Sequence, residues 1–392
     1  MKKVYKLLFL TIILNVADSI FYMNMLWYIT DNLDNSYYLG IFFSITLIPD
    51  MFIFLLGPLI DKFNVKKMLF ISVLVQILSL LIFAVFRMHI SISVIFVIIF
   101  IFMMSSTFSY VIQETLIPKI VEKEKVVFAN SIFEFSSRIL DSFINSISSI
   151  MIASFGILIV FKYNLLVYIL SILVLSTLKL NLDKNNINNK EISKKEKYKF
   201  KNYKYELKEG LIFLNNNKLL KDIAIIFLIV NFFNAIQAVA YPIYSKNFFS
   251  GEIYYGLLLG VKGLSGIVGS ISSGYIIKGI KKSNLLGILL LLNGVFWMLA
   301  ILTKNIFFNL FLFFLGYFFM SIYNIGFNSI FHIVPPKDLL GRINSTVDSL
   351  IAFAMPLGSY IAGIIVDNNN IIYTMMILPL CMIFFGGGDI FY

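Results

Sequence analysis

The chain has 392 residues, 59% of them hydrophobic and only 14% charged, with a mean hydropathy of +0.89. A soluble domain of that composition lacks the polar surface to cover its core, so a soluble globular protein is excluded. The formal net charge of +11 raises nucleic-acid binding as a possibility, which the placement of the lysines then removes.

Long unbroken apolar runs select membrane helices over a β-barrel, because in lipid each backbone amide must be bonded within its own segment. The sequence predicts twelve such spans, at approximately 7–30, 37–60, 68–86, 90–112, 131–154, 159–178, 223–244, 253–277, 284–302, 306–328, 344–366 and 371–387. Each is near the ~20 residues that cross a ~30 Å hydrocarbon core. The first follows Met1, Lys2 and Lys3, a basic start like that of a signal peptide. Its length and Asp18 mark it as a retained helix instead.

Alternating the loops between two sides puts 26 of the 32 Lys and Arg residues on one side and 4 on the other, with Arg138 and Lys262 inside spans. The bias follows the positive-inside rule and predicts a multi-pass protein of the cell (plasma) membrane with both termini cytoplasmic. The net charge therefore reflects topology within a lipid bilayer, and no nucleic-acid partner is expected. The main composition break lies between Lys179 and Asp222, where an Asn/Lys-rich stretch is followed by Tyr205–Asn215, a candidate surface helix. Domain boundaries follow: residues 1–180 as an N-terminal six-helix half, 181–222 as a basic cytoplasmic linker, and 223–392 as a C-terminal six-helix half.

The halves resemble each other about 216 residues apart. Asn15 and Asp18 align with Asn231 and Asn234, Tyr28 with Tyr244, and Gly40 with Gly256. The stretch after Gly57 matches that after Gly274, and 121–131 matches 334–345. An even number of spans per repeat inserts both halves in the same orientation, giving parallel repeats about an axis along the membrane normal.

The loop after span 2 reads Gly57-Pro58-Leu59-Ile60-Asp61-Lys62-Phe63-Asn64-Val65-Lys66-Lys67. It resembles the G-x-L-x-D-R-x-G-R-R signature of the major facilitator superfamily, with Asn64 in place of a glycine and expected to tolerate positive φ. The loop from Ile117 and Pro118 to Ala129, Asn130 and Ser131 is similar to that of the macrolide-efflux and enterobactin-exporter branch. So is the stretch with Val334, Pro335, Gly341, Arg342 and Ser345 followed by Pro356 and Gly358. The resemblance implies a major facilitator fold, an efflux antiporter of the drug- or macrolide-resistance kind, and a cytoplasmic gate at Gly57, Asp61, Lys62, Lys66, Lys67, Gly341 and Arg342. Span 5, with Ser136 to Asn145, departs from the Gly-Pro pair of drug/proton antiporters. Direction and coupling ion stay open at this point.

Ionisable groups inside spans cost roughly 2.5–3.5 kcal/mol each on insertion scales, so they face a cavity or a partner. Asp18, Asp50, Glu134, Arg138, Asp141 and Lys262 are such groups. Glu134, Arg138 and Asp141 share one helical face, either as a charged cavity wall or as a self-neutralising network. Asn15, Asp18 and Tyr22 form a stripe on span 1, and Asn231, Asn234, Gln237 and Tyr241 its counterpart on span 7. Both are read as substrate- and proton-facing walls, with Asp18 the leading proton carrier; interhelical hydrogen bonding is the plainer alternative. Asp50, after Pro49, lines a cavity or pairs with Lys262. Small residues in span 8 (Gly256, Gly260, Gly266, Ser270, Gly274) and span 11 (Gly358, Ala362, Ser359, Gly363) are expected to pack helices closely. Pro242 and Pro356 are expected to kink their spans.

One cysteine, Cys381, rules out an intrachain disulfide, and His89 and His332 show no ligand spacing. No metal, cofactor or P-loop is therefore expected. The leading expectation is proton-coupled export of a small amphiphilic compound, a drug or siderophore, by a monomer. An importer or lipid translocator of the same fold is one alternative, and a membrane-embedded enzyme using His332 is another.

Overall fold

Apolar runs broken by short polar turns fold into helices almost throughout. The computed structural model describes residues 2–33, 35–53, 64–86, 89–121, 126–177, 209–277, 282–336, 339–368 and 370–387. Within them lie α1 (Lys2–Asn32), α2 (Tyr37–Leu47), α3 (Val65–Phe86), α4 (Ile92–Ile120), α5 (Val126–Phe155) and α6 (Ile157–Thr177). The later set is α7 (Lys218–Phe248), α8 (Glu252–Ile276), α9 (Lys282–Leu302), α10 (Ile306–Ile333), α11 (Leu340–Asn368) and α12 (Ile371–Gly387). A short helix over 209–216 precedes α7. Each predicted span has its helix. Several helices overrun their apolar core by a polar turn; α4 runs on to Ile120, and α7 extends at both ends, over Lys218–Phe248. Nine helices are long and apolar enough to cross a membrane among the described residues.

Local chemistry sets the boundaries. Asn217 and Asn305 cap α7 and α10 by accepting from the amides of Leu220 and Phe308, both at 3.1 Å. Asn64 does the same for α3, accepting from Lys67 N at 3.1 Å. No described non-glycine residue has positive φ, so Asn64 stands where it does as a cap and not as a left-handed turn residue. Gly156 (φ 80°) and Gly251 (φ 56°) do turn the chain, before α6 and before α8. A Cβ at either would meet nothing, so it is the dihedral that favours glycine. Pro49 opens a 3-10 turn, Ile48–Phe52, that ends the regular part of α2. Prolines 242 and 356 lie inside α7 and α11 as expected, and Pro379 lies inside α12 as well.

By contacts the chain divides into two compact units, Met1–Asp34 with Ile45–Lys197, and Asn35–Ser44 with Tyr198–Tyr392. In the first, α1 packs on α5 and α6, α3 on α4, and α3 on α6. In the second, α7 packs on α11 and α12, α9 on α10, and α9 on α12. These pairings recur after a shift of six helices, whereas the close packing of α8 on α10 has no counterpart between α2 and α4 among the described residues. Stacked phenylalanines join the first and fourth helix of each set: Phe21 with Phe102 and Phe227 with Phe327, both at 3.6 Å between centroids.

Glycine packing is concentrated in the second unit. Gly40 of α2 crosses Gly363 of α11 so closely that a Cβ on Gly40 would sit 2.7 Å from the Gly363 Cα. Around that crossing Ser44 donates to the Pro356 carbonyl at 2.8 Å, and Ser36 N donates to Asp367 at 2.6 Å. Gly358 abuts the Phe232 carbonyl, so the small residues of α11 pack helices as expected. In α8 the expectation fails in part. Gly266 and Gly274 face open space, and the close contact is made by Gly269 against Ser321 and the Phe318 carbonyl. A residue three along from Gly266 points to a different face, so the spacing identified the helix but not the packed side.

Candidate functional site

The site in the first unit is built on α1. Leu8, Ile12, Asn15, Asp18 and Tyr22 follow helical spacing and form its half-buried strip, while the rest of the helix is mostly core. The Asp18 carboxylate takes three hydrogen bonds from three other helices. Gln76 Nε2 of α3 donates at 2.9 Å, and the hydroxyls of Ser106 (α4) and Tyr168 (α6) donate through short contacts. Gln76 and Tyr168 are fully buried. A carboxylate deep in an apolar bundle is stable as an anion only when donors replace water, and three donors meet that need.

The same set can hold the neutral acid. Gln76 Oε1 is buried without a hydrogen-bond partner. Reversing that amide presents an acceptor to a protonated Asp18, and the two hydroxyls can rotate to accept. The cluster therefore accommodates both protonation states with no movement of backbone. A second polar link, Thr11 Oγ1 to Gln113 Oε1 at 2.7 Å, joins α1 to α4 nearer the N-terminus. Asn15 Nδ2 is buried and unpartnered.

The remaining sequence candidates divide between accessible and packed positions. Asp50 is exposed beside the 3-10 turn and accepts from the Thr107 side chain. Asp141 is exposed on α5. Glu134 and Arg138 fall on the same helix, but their side chains lie outside the described residues. On α7, Asn231 and Asn234 are half-buried, Asn231 donating to the Phe227 carbonyl at 2.8 Å. Gln237 is fully buried and donates to the Met375 carbonyl of α12 at 3.4 Å, while Tyr241 is buried against Tyr317. The stripe on α7 is thus two accessible asparagines followed by two residues packed inside the second unit.

Lys262 lies near the middle of α8 and is exposed. Its Nζ sits 5.9 Å from the centroid of the Tyr317 ring, within cation–π range. Tyr317 OH in turn donates to Tyr241 OH at 3.1 Å.

Of the predicted gate, Gly57, Asp61 and Lys62 lie outside the described residues. Lys66 Nζ donates to the Ser176 carbonyl at 3.3 Å, and Lys67 is exposed. Gly341 is exposed at the start of α11. Arg342 pairs with Glu209 of the short helix over 209–216, and Gly210 of that helix lies against the Arg342 carbonyl and Thr346. Glu209, Gln76, Ser106, Tyr168, Thr107 and Tyr317 were not among the candidates read from the sequence. His332 is exposed in the last turn of α10. Among the described residues no group of His, Cys, Asp and Glu is placed to hold a metal.

Bundled apolar helices enclosing a few polar groups define a multi-pass helical membrane protein. The sequence model described as Major Facilitator Superfamily matches residues 7–359. Among solved structures, a peptide transporter, POT, in a single-residue mutant form, superposes with a TM-score of 0.75 at 12% identity, covering 98% of this chain and 93% of its own. A mutant of the nucleoside transporter NupG gives 0.72 at 12% identity, over 98% and 97%. A bacterial metal transporter gives 0.69 at 12% identity, over 100% and 98%. At these identities the likenesses show the fold. No curated sequence matches. The chain belongs to the Major Facilitator Superfamily and is a transporter, not an enzyme.

Proposed function

We propose that this protein exports small amphiphilic compounds across the plasma membrane in exchange for protons, with Asp18 as the proton carrier. The observation that carries the reading is the half-buried Asp18 carboxylate with donors from Gln76, Ser106 and Tyr168. Simple helix adhesion needs hydrogen bonds but no ionisable group, and an intramembrane carboxylate marks a proton or ion pathway. Asp18 shares its half-buried strip with Asn15 and Tyr22, so a change of charge there alters a surface that substrate can reach.

Residues 1–180 and 223–392 act as the two moving halves of alternating access, joined by the linker 181–222. Both termini are cytoplasmic, because the basic loops cluster on one side. On that side Asp61, Lys62, Lys66, Lys67 and Arg342 form the gate. Export is favoured over import by the likeness of the loops around Asn130 and Arg342 to the macrolide-efflux and enterobactin-exporter branch. The protein works as a monomer.

The test is efflux of an amphiphile panel from loaded cells, with and without a protonophore. Wild type clears at least one compound and loses that advantage when the proton gradient collapses. Clearance unaffected by the protonophore sinks proton coupling, and accumulation instead of clearance sinks export.

A further inference from the structure

The exposed large apolar side chains of α8 form one row. Ile253, Leu257, Leu264, Val268, Ile271 and Tyr275 are all exposed and all apolar, and they lie along one face, as lipid contact requires. At 3.6 residues per turn Lys262 falls about half a turn away from that row. It is exposed beside Gly266, one turn on, where a Cβ would meet nothing, and beside Gly269, two turns on, which packs against Ser321 and the Phe318 carbonyl. Lys262 is therefore accessible from the side of α8 opposite its apolar row, near the middle of the helix.

Among the described residues Lys262 has no carboxylate partner, and its side-chain contact is the Tyr317 ring at 5.9 Å. That ring belongs to a buried aromatic cluster. Tyr317 bonds Tyr241 and packs edge-on against Trp297 at 5.0 Å, and Tyr241 meets Phe313 at 5.9 Å. A π face attracts the ammonium but does not neutralise it. The counter-charge is left for something that arrives.

From this geometry we infer that Lys262 is the binding point for an anionic group of the transported compound, and that the substrates are amphiphiles with a carboxylate, sulfonate or phosphate beside an aromatic or apolar body. The inference rests on the reading of the chain as a carrier of amphiphiles and narrows its substrate class. The acid end lies on the ammonium, and the apolar body lies along the open space beside Gly266.

The test uses purified protein in nanodiscs and matched probes: naphthylacetate and naphthalenesulfonate against the uncharged naphthylacetamide. The anions bind wild type at least severalfold more tightly than the amide. Lys262→Gln weakens the anions roughly tenfold to a hundredfold, as loss of a charge-assisted bond does, and leaves the amide unchanged. Lys262→Arg restores the preference. Equal binding of acid and amide, no anion binding, or anion binding retained in Lys262→Gln each overturns the inference. Flux of the same probes in proteoliposomes separates the two readings. Anion binding with no proton-driven flux defeats proton-coupled export and leaves the anion site standing. Proton-driven flux of the amide alone does the reverse.

Discussion

Asp18 and Lys262 are ionisable groups at membrane depth in corresponding sets of helices, and their surroundings are opposite. Asp18 is enclosed by three donors from α3, α4 and α6, so its charge is satisfied by the protein itself. Lys262 has one aromatic ring beside it and an open face in front. The first environment suits a group whose own bound species is a proton, because nothing larger fits among the donors. The second suits a group that waits for a counter-ion of its own size. The two residues lie in different units of the fold.

Substitutions separate the two environments, and the largest effect is expected at Asp18. Asp18→Asn removes the titrating group while keeping a side chain that Ser106 and Tyr168 can still meet. Proton-driven efflux is lost while gradient-free exchange of substrate persists; loss of both together with loss of folded protein breaks the account. Next come the donors. Tyr168→Phe and Ser106→Ala each remove one bond to a charged acceptor, worth about 1.5–3 kcal/mol. Thermal unfolding in detergent shows that loss for each, and a change of under half a kcal/mol reduces the cluster to decoration.

Lys262→Met gives the contrasting result. With no bonded partner to strand, it leaves stability within about 0.5 kcal/mol of wild type or raises it, as expected for an exposed site without special contacts. A strong destabilisation means that Lys262 has a structural partner and weakens the contrast. The smallest effect is expected at Glu209→Gln. Its pair with Arg342 is about one-third exposed on each side, at 34% and 38%. Screening limits it to about 0.5 kcal/mol. Its local consequence is faster amide exchange over 209–216, with no change at Asp18.

The fold was legible because hydropathy and helix length are linked by the thickness of a bilayer. All twelve spans, from α1 to α12, could be placed from apolar runs alone, and Asp18 stood out because an acid in such a run is costly. Its partners did not stand out. Gln76, Ser106 and Tyr168 lie 58, 88 and 150 residues from Asp18, on three helices, and no period connects them. A usable signal was present in weak form: Gln76 is the one amide side chain in α3, among residues that past Lys67 are otherwise apolar or serine. The spacing of Gly266 and Gly274 misled for a related reason. It shows that small residues share a face, but only the rotation of α8 decides whether that face meets a helix or open space, and Gly269 holds the packed side. Likewise Asn64 was read for its backbone freedom, whereas its side chain caps α3.

The central claim is that Asp18 gives up its proton when substrate binds. Proton release can be measured directly, by adding an exported compound to the purified protein in weakly buffered solution and following pH. Wild type releases protons in proportion to substrate bound, and Asp18→Asn binds substrate without release. Equal release from both proteins contradicts the claim and moves the proton site elsewhere in the molecule.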